Sequence, residues 1–272
     1  MTMLNVMLGS AVDLVLSPFR DLPPIVGLAV VSVLTALGLL LVVKATSNQA
    51  AIGAARRAMM AALFEIRLFN DDLPAVFRAQ GDMLRQNATY LRLSLVPILW
   101  TIVPITLIVA HLDTHYGYAG VAPGETVLVK ATVSTAQEPR EAVLEAPESV
   151  HVSTPAVWLP AARELVWKVK PERRGEFVLT ARVNGGTFAK TLDVTDRVVR
   201  RSPARISGGL FDELMYPAER PLPKEAVVRS ISFKYPSRGI SVFGWNWPWI
   251  VVYLVLSIGW AMLLKRPLGV TI

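Results

Sequence analysis

The stretch Ala45–Leu93, ATSNQAAIGAARRAMMAALFEIRLFNDDLPAVFRAQGDMLRQNATYLRL, is polar and arginine-rich, yet strongly apolar segments flank it. Ile25–Val43 precedes it without a charge, and Leu95–Ala110 follows it. Within the stretch, Ile52, Met59, Leu63, Ile66 and Phe69 recur near helical spacing, which predicts a first helix over about Gln49–Phe69. Thr46-Ser47-Asn48 supply cap chemistry at its start, and Asn70-Asp71-Asp72 make a turn. Pro74 then falls in the first turn of a second helix, with an aspartate available as its cap. Val76, Phe77, Met83, Leu84 and Tyr90 continue that helix into the next apolar segment. The pattern predicts a helical hairpin, coiled-coil-like, projecting from two adjacent membrane spans.

The rest of the chain is placed relative to this hairpin. Mean hydropathy is +0.44 and 53% of residues are apolar, an excess held in blocks long enough, or nearly so, to cross about 30 Å of hydrocarbon. A third block, Pro248–Leu264, is preceded by Phe243, Trp245, Trp247 and Trp249, aromatics expected at headgroup level. The hairpin carries Arg56, Arg57, Arg67, Arg78, Arg85 and Arg92, and Lys265 and Arg266 follow the third block, so the positive-inside rule puts both in the cytoplasm. The N-terminus and the long segment after the second span then lie outside, in a periplasm-like space, and the protein belongs to a cell (inner or plasma) membrane. A cleaved signal peptide is not expected, because Met1–Phe19 lacks a basic n-region and no small-residue cleavage site follows Ile25–Val43.

The expected fold class is an α-helical membrane protein with three transmembrane helices, a cytoplasmic hairpin, and an extracytoplasmic all-β immunoglobulin-like sandwich between spans two and three. The boundaries are an outer interfacial helix at 1–24, spans at 25–44, 94–110 and 247–265, the hairpin at 45–93, the sandwich with its return loop at 111–246, and a tail at 266–272. The sandwich is inferred from short runs at Val127–Val133, Ala142–Leu144, Ser149–Val152, Glu164–Val169, Glu176–Val183 and Thr187–Val194, with a further strand at Val227–Tyr235. Asn184-Gly185-Gly186 is a strong hairpin signal among them. Its expected core is Leu128, Val143, Val150, Trp158, Val166, Trp167, Phe177, Leu179 and Phe188.

The net charge of +7 does not argue for nucleic acid, because the basic residues are dispersed in runs of two at most. There is no cysteine, which removes disulfides, thiol catalysis and thiolate metal sites. His111, Asp113 and His115 form H-x-D-x-H at the outer end of span two, with His151 as a conceivable third imidazole; these are weak metal candidates, and no metal or other cofactor is expected. No nucleophile elbow, Walker loop or zincin motif is present, so no enzyme active site is expected. No charge lies at mid-membrane either. The spans do hold Ser32, Thr35, Thr101, Thr106 and Ser257, with Pro97 and Pro104 in span two. Packing of small and hydroxylated residues at helix interfaces explains most of these; the functional alternative is a shallow, partly polar groove at Ser32, Thr35 and Thr101, open to the cytoplasm and edged by Lys44, Asn48, Gln49 and Arg92. Met59, Met60 and Met83 would supply a flexible apolar contact surface near its mouth on the hairpin, although core packing within the hairpin explains them equally well.

The span exit Lys44-Ala45-Thr46-Ser47-Asn48 and the hairpin Leu63–Arg92 running into Leu95–Ala110 resemble the three-span core of the Oxa1/YidC membrane-insertase superfamily. The likeness is nearest to the minimal prokaryotic members and to the endoplasmic-reticulum relatives of the EMC3/TMCO1 type, and covers roughly residues 20–116 and 248–266. It implies a chaperone-like factor that assists membrane-protein insertion by lowering the cost of moving polar segments through lipid. The implied partners are the bilayer and membrane-protein substrates or a membrane complex, with the hairpin receiving substrate or ribosome. Two features depart from the family pattern. Basic residues stand only at the groove's edge, and a β-domain separates spans two and three. The alternative expectation is a membrane-anchored envelope scaffold or complex subunit whose outer sandwich binds a partner protein.

Overall fold

The computed structural model describes residues 3–69 and 71–270. Its helices are α1 (Met3–Leu16), α2 (Pro24–Thr46), α3 (Gln49–Leu68), α4 (Leu73–Leu112), α5 (Leu210–Met215) and α6 (Trp249–Leu268). The chain divides into two compact units: Leu28–Thr106 with Tyr253–Ile272, and Met1–Gly27 with Leu107–Val252.

Among the described residues three helices, most of whose length lies in the helical unit, are long and apolar enough to cross a membrane: Pro24–Thr46, Leu73–Gly117 and Trp249–Leu268. The 40 residues of α4 rise about 60 Å, twice the thickness of a hydrocarbon layer, so one helix serves both as hairpin arm and as span. Local chemistry fixes the hairpin's ends. Asn48 caps α3 by accepting from the Ala51 amide at 3.0 Å, and Asp72 caps α4 by accepting from the Ala75 amide at 3.3 Å. Caps of this kind stabilise a helix by about 1 kcal/mol each. The Phe69 amide closes α3 on the Glu65 carbonyl. Asn70, expected in the turn beside Asp71 and Asp72, lies outside the described residues. The hairpin's buried positions are Ile52, Ala55, Ala62 and Ala79, mostly small residues, whereas Phe64, Leu68, Leu73 and Phe77 are exposed.

In the other unit, eleven strands are described: β1 (Val127–Val133), β2 (Ala142–Glu145), β3 (Val150–Val152), β4 (Val157–Leu159), β5 (Glu164–Pro171), β6 (Gly175–Val183), β7 (Gly186–Val194), β8 (Ala204–Ile206), β9 (Val228–Phe233), β10 (Gly239–Val242) and β11 (Trp245–Pro248). One sheet runs β3-β5-β1-β9-β8 with β4 added on β5, a second runs β2-β6-β7, and β10-β11 form a separate hairpin. All pairings are antiparallel. Residues from the first two sheets belong to one buried cluster, with Val129, Trp167 and Ile231 from one and Leu179, Phe188 and Leu192 from the other. The Asn184-Gly185 turn has the expected form, with φ of 47° and 78° joining β6 to β7. At Gly120 the fit is close enough to demand glycine, since a Cβ would lie 1.6 Å from the Thr195 carbonyl oxygen.

The expected core is corrected in part. Val150, Trp167, Phe177, Leu179 and Phe188 are buried, but Val143 is exposed and Leu128, Val166 and Trp158 are only partly covered. In β1 the inward face is Val127, Val129, Ala131 and Val133, and in β5 it is Leu165, Trp167 and Val169. Because side chains alternate along a strand, Leu128 and Val166 necessarily fall on the opposite face.

Candidate functional site

Two cavities of the helical unit meet in one trough. The first, of 240 Å³, takes Thr35 and Val43 from α2, Thr101 from α4, and Tyr253 and Ser257 from α6. The second, also 240 Å³, takes Ser47, Gln49, Tyr90, Ser94 and Pro97, and shares Val43 and Thr101 with the first. Across the first cavity the Tyr253 hydroxyl hydrogen-bonds with Thr35, and Ser257 stands one turn along α6 from Tyr253. Thr101 donates to the Ile98 carbonyl at 2.8 Å. Pro97 and Pro104 each lack the N–H that the carbonyl four residues back would otherwise receive, which adds backbone polarity to α4. The remaining walls of the first cavity are aliphatic, and among the described residues tyrosines are the only titratable side chains lining the trough. The exposed lining is mostly apolar, and its hydroxyls are engaged within the chain: Thr101 bonds its own helix, Tyr253 bonds Thr35 and Ser257, and the Ser257 oxygen is buried. The lining carries no acid–base pair.

The structure brings Thr35, Thr101 and Gln49 to the trough but not the other expected members. Ser32 is fully buried, and its hydroxyl donates to the Leu28 carbonyl at 2.8 Å within α2. Lys44, Asn48 and Arg92 are exposed and line neither cavity. Gln49 also donates to the Ser47 hydroxyl. Tyr253 is beyond the reach of the sequence reading, although its spacing of four from Ser257 puts both on one helix face. On the hairpin, Met59, Met60 and Met83 do come together, lining a 390 Å³ cavity with Arg56, Leu63 and Tyr90.

The histidines at the end of α4 are used by the protein itself. A π-helical turn, Asp113–Gly117, follows α4 directly. His111 Nδ1 lies 2.9 Å from the Leu107 carbonyl and its Nε2 3.4 Å from the Asn5 carbonyl. His115 Nε2 meets Asp13 at 2.8 Å, and its Nδ1 sits 3.0 Å from the His111 carbonyl. Asp113 hydrogen-bonds with Trp249 and Tyr118 instead of joining the imidazoles. His151 lies exposed on β3, and no group of three potential metal ligands occurs among the described residues. The hydrogen bond from His115 is the main cause holding Asp13 below its ordinary carboxylate range. No local pattern announces this pair, because 102 residues separate its members.

A second polar centre lies in the strand-rich unit. Lys190 on β7 is buried, and its Nζ donates to Glu219 at 2.9 Å and to the Ser202 carbonyl and hydroxyl at 2.9 and 3.0 Å. The ammonium also sits 5.2 Å from the centre of the Phe233 ring. Burial pushes the Lys190 ammonium below its ordinary value, while Glu219 pulls it back up. Nearby Asp193 is raised to about 6, first by burial and then by Glu176 and Glu219, against the opposing charges of Arg201 and Lys190. Thr191, Asp193, Ser202 and Glu219 line a 440 Å³ cavity with Arg197 and Arg200.

Compared with family models, with curated proteins and with solved structures, the chain matches none.

Proposed function

We propose that this protein is an insertase-like factor of a cell membrane that assists integration or assembly of membrane proteins. The observation that carries the reading is the trough, to which all three span helices contribute and whose hydroxyls lie among aliphatic walls. A polar segment crossing lipid leaves backbone and side-chain groups unsatisfied, at several kcal/mol each. By exchanging their bonds within the chain for bonds to that segment, the hydroxyls of Thr35, Thr101, Tyr253 and Ser257 would lower that cost without offering a permanent charge that would trap the segment. In this reading the hairpin is cytoplasmic, and its methionine-lined cavity and exposed Phe64, Leu68 and Phe77 receive substrates of varied shape. The β unit is then an extracytoplasmic, immunoglobulin-like sandwich. This keeps the kinship to the Oxa1/YidC superfamily as part of the proposal.

A second reading, an envelope scaffold anchored by three spans, draws support from exposed Val143 and Val178 on β2 and β6, apolar positions that a protein partner would cover. Reconstitution separates the two. The purified chain in dioleoylphosphatidylcholine vesicles should raise the protease-protected fraction of a short-tailed, single-span protein made by cell-free translation. The combined variant Thr35→Val, Thr101→Val, Ser257→Ala should lose most of that gain. Protection equal to that in empty vesicles would sink the insertase reading.

A further inference from the structure

The β10–β11 hairpin is aromatic, uncharged and, beyond its base, largely exposed. Its register pairs Ile240 with Trp247 and Val242 with Trp245 on one face, and Ser241 with Asn246 on the other. One face is therefore wholly apolar and the other carries a hydroxyl and an amide. Trp245 and Trp247 stack with ring centroids 6.4 Å apart and an interplanar angle of 15°. Ile240 at the base is buried, whereas Trp245 is 72% and Phe243 101% exposed.

The turn is strained in an informative way. Phe243 and Gly244 have φ of 52° and 82°, the paired positive values of a type I′ turn, whose first position favours asparagine, aspartate or glycine. A phenylalanine there works against local backbone preference, and its side chain is fully exposed among the described residues. Such a conflict between local preference and adopted conformation is expected where a residue acts on something outside the chain.

We propose that this hairpin is a lipid-inserted wedge, seated in the headgroup–acyl boundary of the bilayer leaflet where span α6 begins. Three observations choose lipid over a protein partner. Pro248 ends β11 and Trp249 starts α6, so the hairpin joins a span without a linker. No residue from Gly239 to Pro248 is charged. Tryptophans with an apolar body and a polar N–H collect at membrane interfaces.

Helix α1 belongs to the same layer. Asp13–His115 and Asn5–His111 bind it to the outer end of span α4, the end on the same side as the start of α6, and its Met3, Met7 and Leu14 are exposed. The wedge rests on the three-span reading and holds whether or not the trough carries substrate.

The absence of cysteine allows one label at one site. Phe243→Cys and, separately, Trp245→Cys are spin-labelled in the full chain in dioleoylphosphatidylcholine vesicles, with Val178→Cys as the water-exposed reference. Expected is a several-fold lower collision rate with a water-soluble nickel chelate than at position 178, together with a higher rate with oxygen. Nickel access equal to that at 178 overturns the wedge. Protection from both reagents overturns it too, because that result means a protein surface covers the hairpin.

Discussion

The two tryptophans Trp167 and Trp100 set the two units side by side. Trp167 on β5 is 1% exposed in the core shared by the two main sheets, while Trp100 on α4 is 64% exposed. In the two main sheets of the strand-rich unit one face of apolar side chains is buried in a shared cluster, and even the buried Lys190 has its hydrogen-bond partners. In the helical unit the relation is loose: only 11% of the most apolar stretch of Leu73–Gly117 is buried within the chain. A water-soluble fold does not leave such a surface bare. The difference teaches that the two units are built for different solvents. One makes its own interior, and the other borrows the interior of a bilayer.

The largest effect should come from Trp167→Ala. Truncating a fully buried tryptophan costs about 4 kcal/mol, through lost burial plus the cavity left behind. Thermal unfolding of the strand-rich unit, followed by near-ultraviolet circular dichroism, should show a large drop in midpoint. Next comes Glu219→Ala, which strands the Lys190 ammonium in a low-dielectric site at a cost of about 3 kcal/mol. Lys190→Met in the same measurement should cost much less, because the Glu219 carboxylate left behind is partly exposed and keeps the Thr191 amide and Ser202 hydroxyl as donors. Equal losses from the two would show that the pair is not what holds this corner.

Asp193 sharpens the comparison through pH. Its carboxyl is raised to about 6 in the fold, against an ordinary value of 3.8. The unfolded chain gives up this proton first, so the folded state binds more protons between those values and stability falls as pH rises through them. Above pH of about 6 the full penalty is present. Asp193→Asn should therefore stabilise the unit at about pH 7 by up to about 3 kcal/mol and flatten the loss between about pH 4 and 6. A titration of the unfolding midpoint against pH, with both proteins, checks the sign directly. The smallest effect belongs to Trp100→Ala, the same chemical change as at Trp167. On an uncovered surface it should shift stability in detergent by less than about 0.5 kcal/mol. A loss approaching that of Trp167→Ala would mean that α4 is packed against protein, and the contrast between the units would fail.

Much of this arrangement was legible in the sequence, for reasons that can be named. Asn48, Asp72 and Pro74 each act within one helical turn, so the hairpin's ends could be read from neighbours alone. Asn184-Gly185 likewise fixes its own turn. The face of β1 could not be read with the same security. Val127-Leu128-Val129 and Leu165-Val166-Trp167 are apolar at consecutive positions, and without alternation either face could be the inner one. Lys190 did have a signal, since it shares the inward period of Phe188, Leu192 and Val194, but a lysine at such a position contradicts the usual expectation. Of the trough, Thr35 and Thr101 were legible as hydroxyls in apolar helices. Ser32 was not distinguishable from them, because its orientation around α2 depends on contacts that no local pattern carries. The Asp13–His115 pair and the Lys190–Glu219–Ser202 cluster join residues distant in sequence, which only the folded chain brings together.

The most direct test of the central claim is site-specific photocrosslinking in native membranes, with a benzophenone amino acid placed at Thr35, Thr101 or Ser257, and at Val178 as the reference. An insertase trough predicts adducts to several newly made membrane proteins at all three trough positions and none of these at Val178. Adducts to a single stable partner, or an empty trough beside a strong adduct at Val178, would contradict it and leave the anchored scaffold in its place.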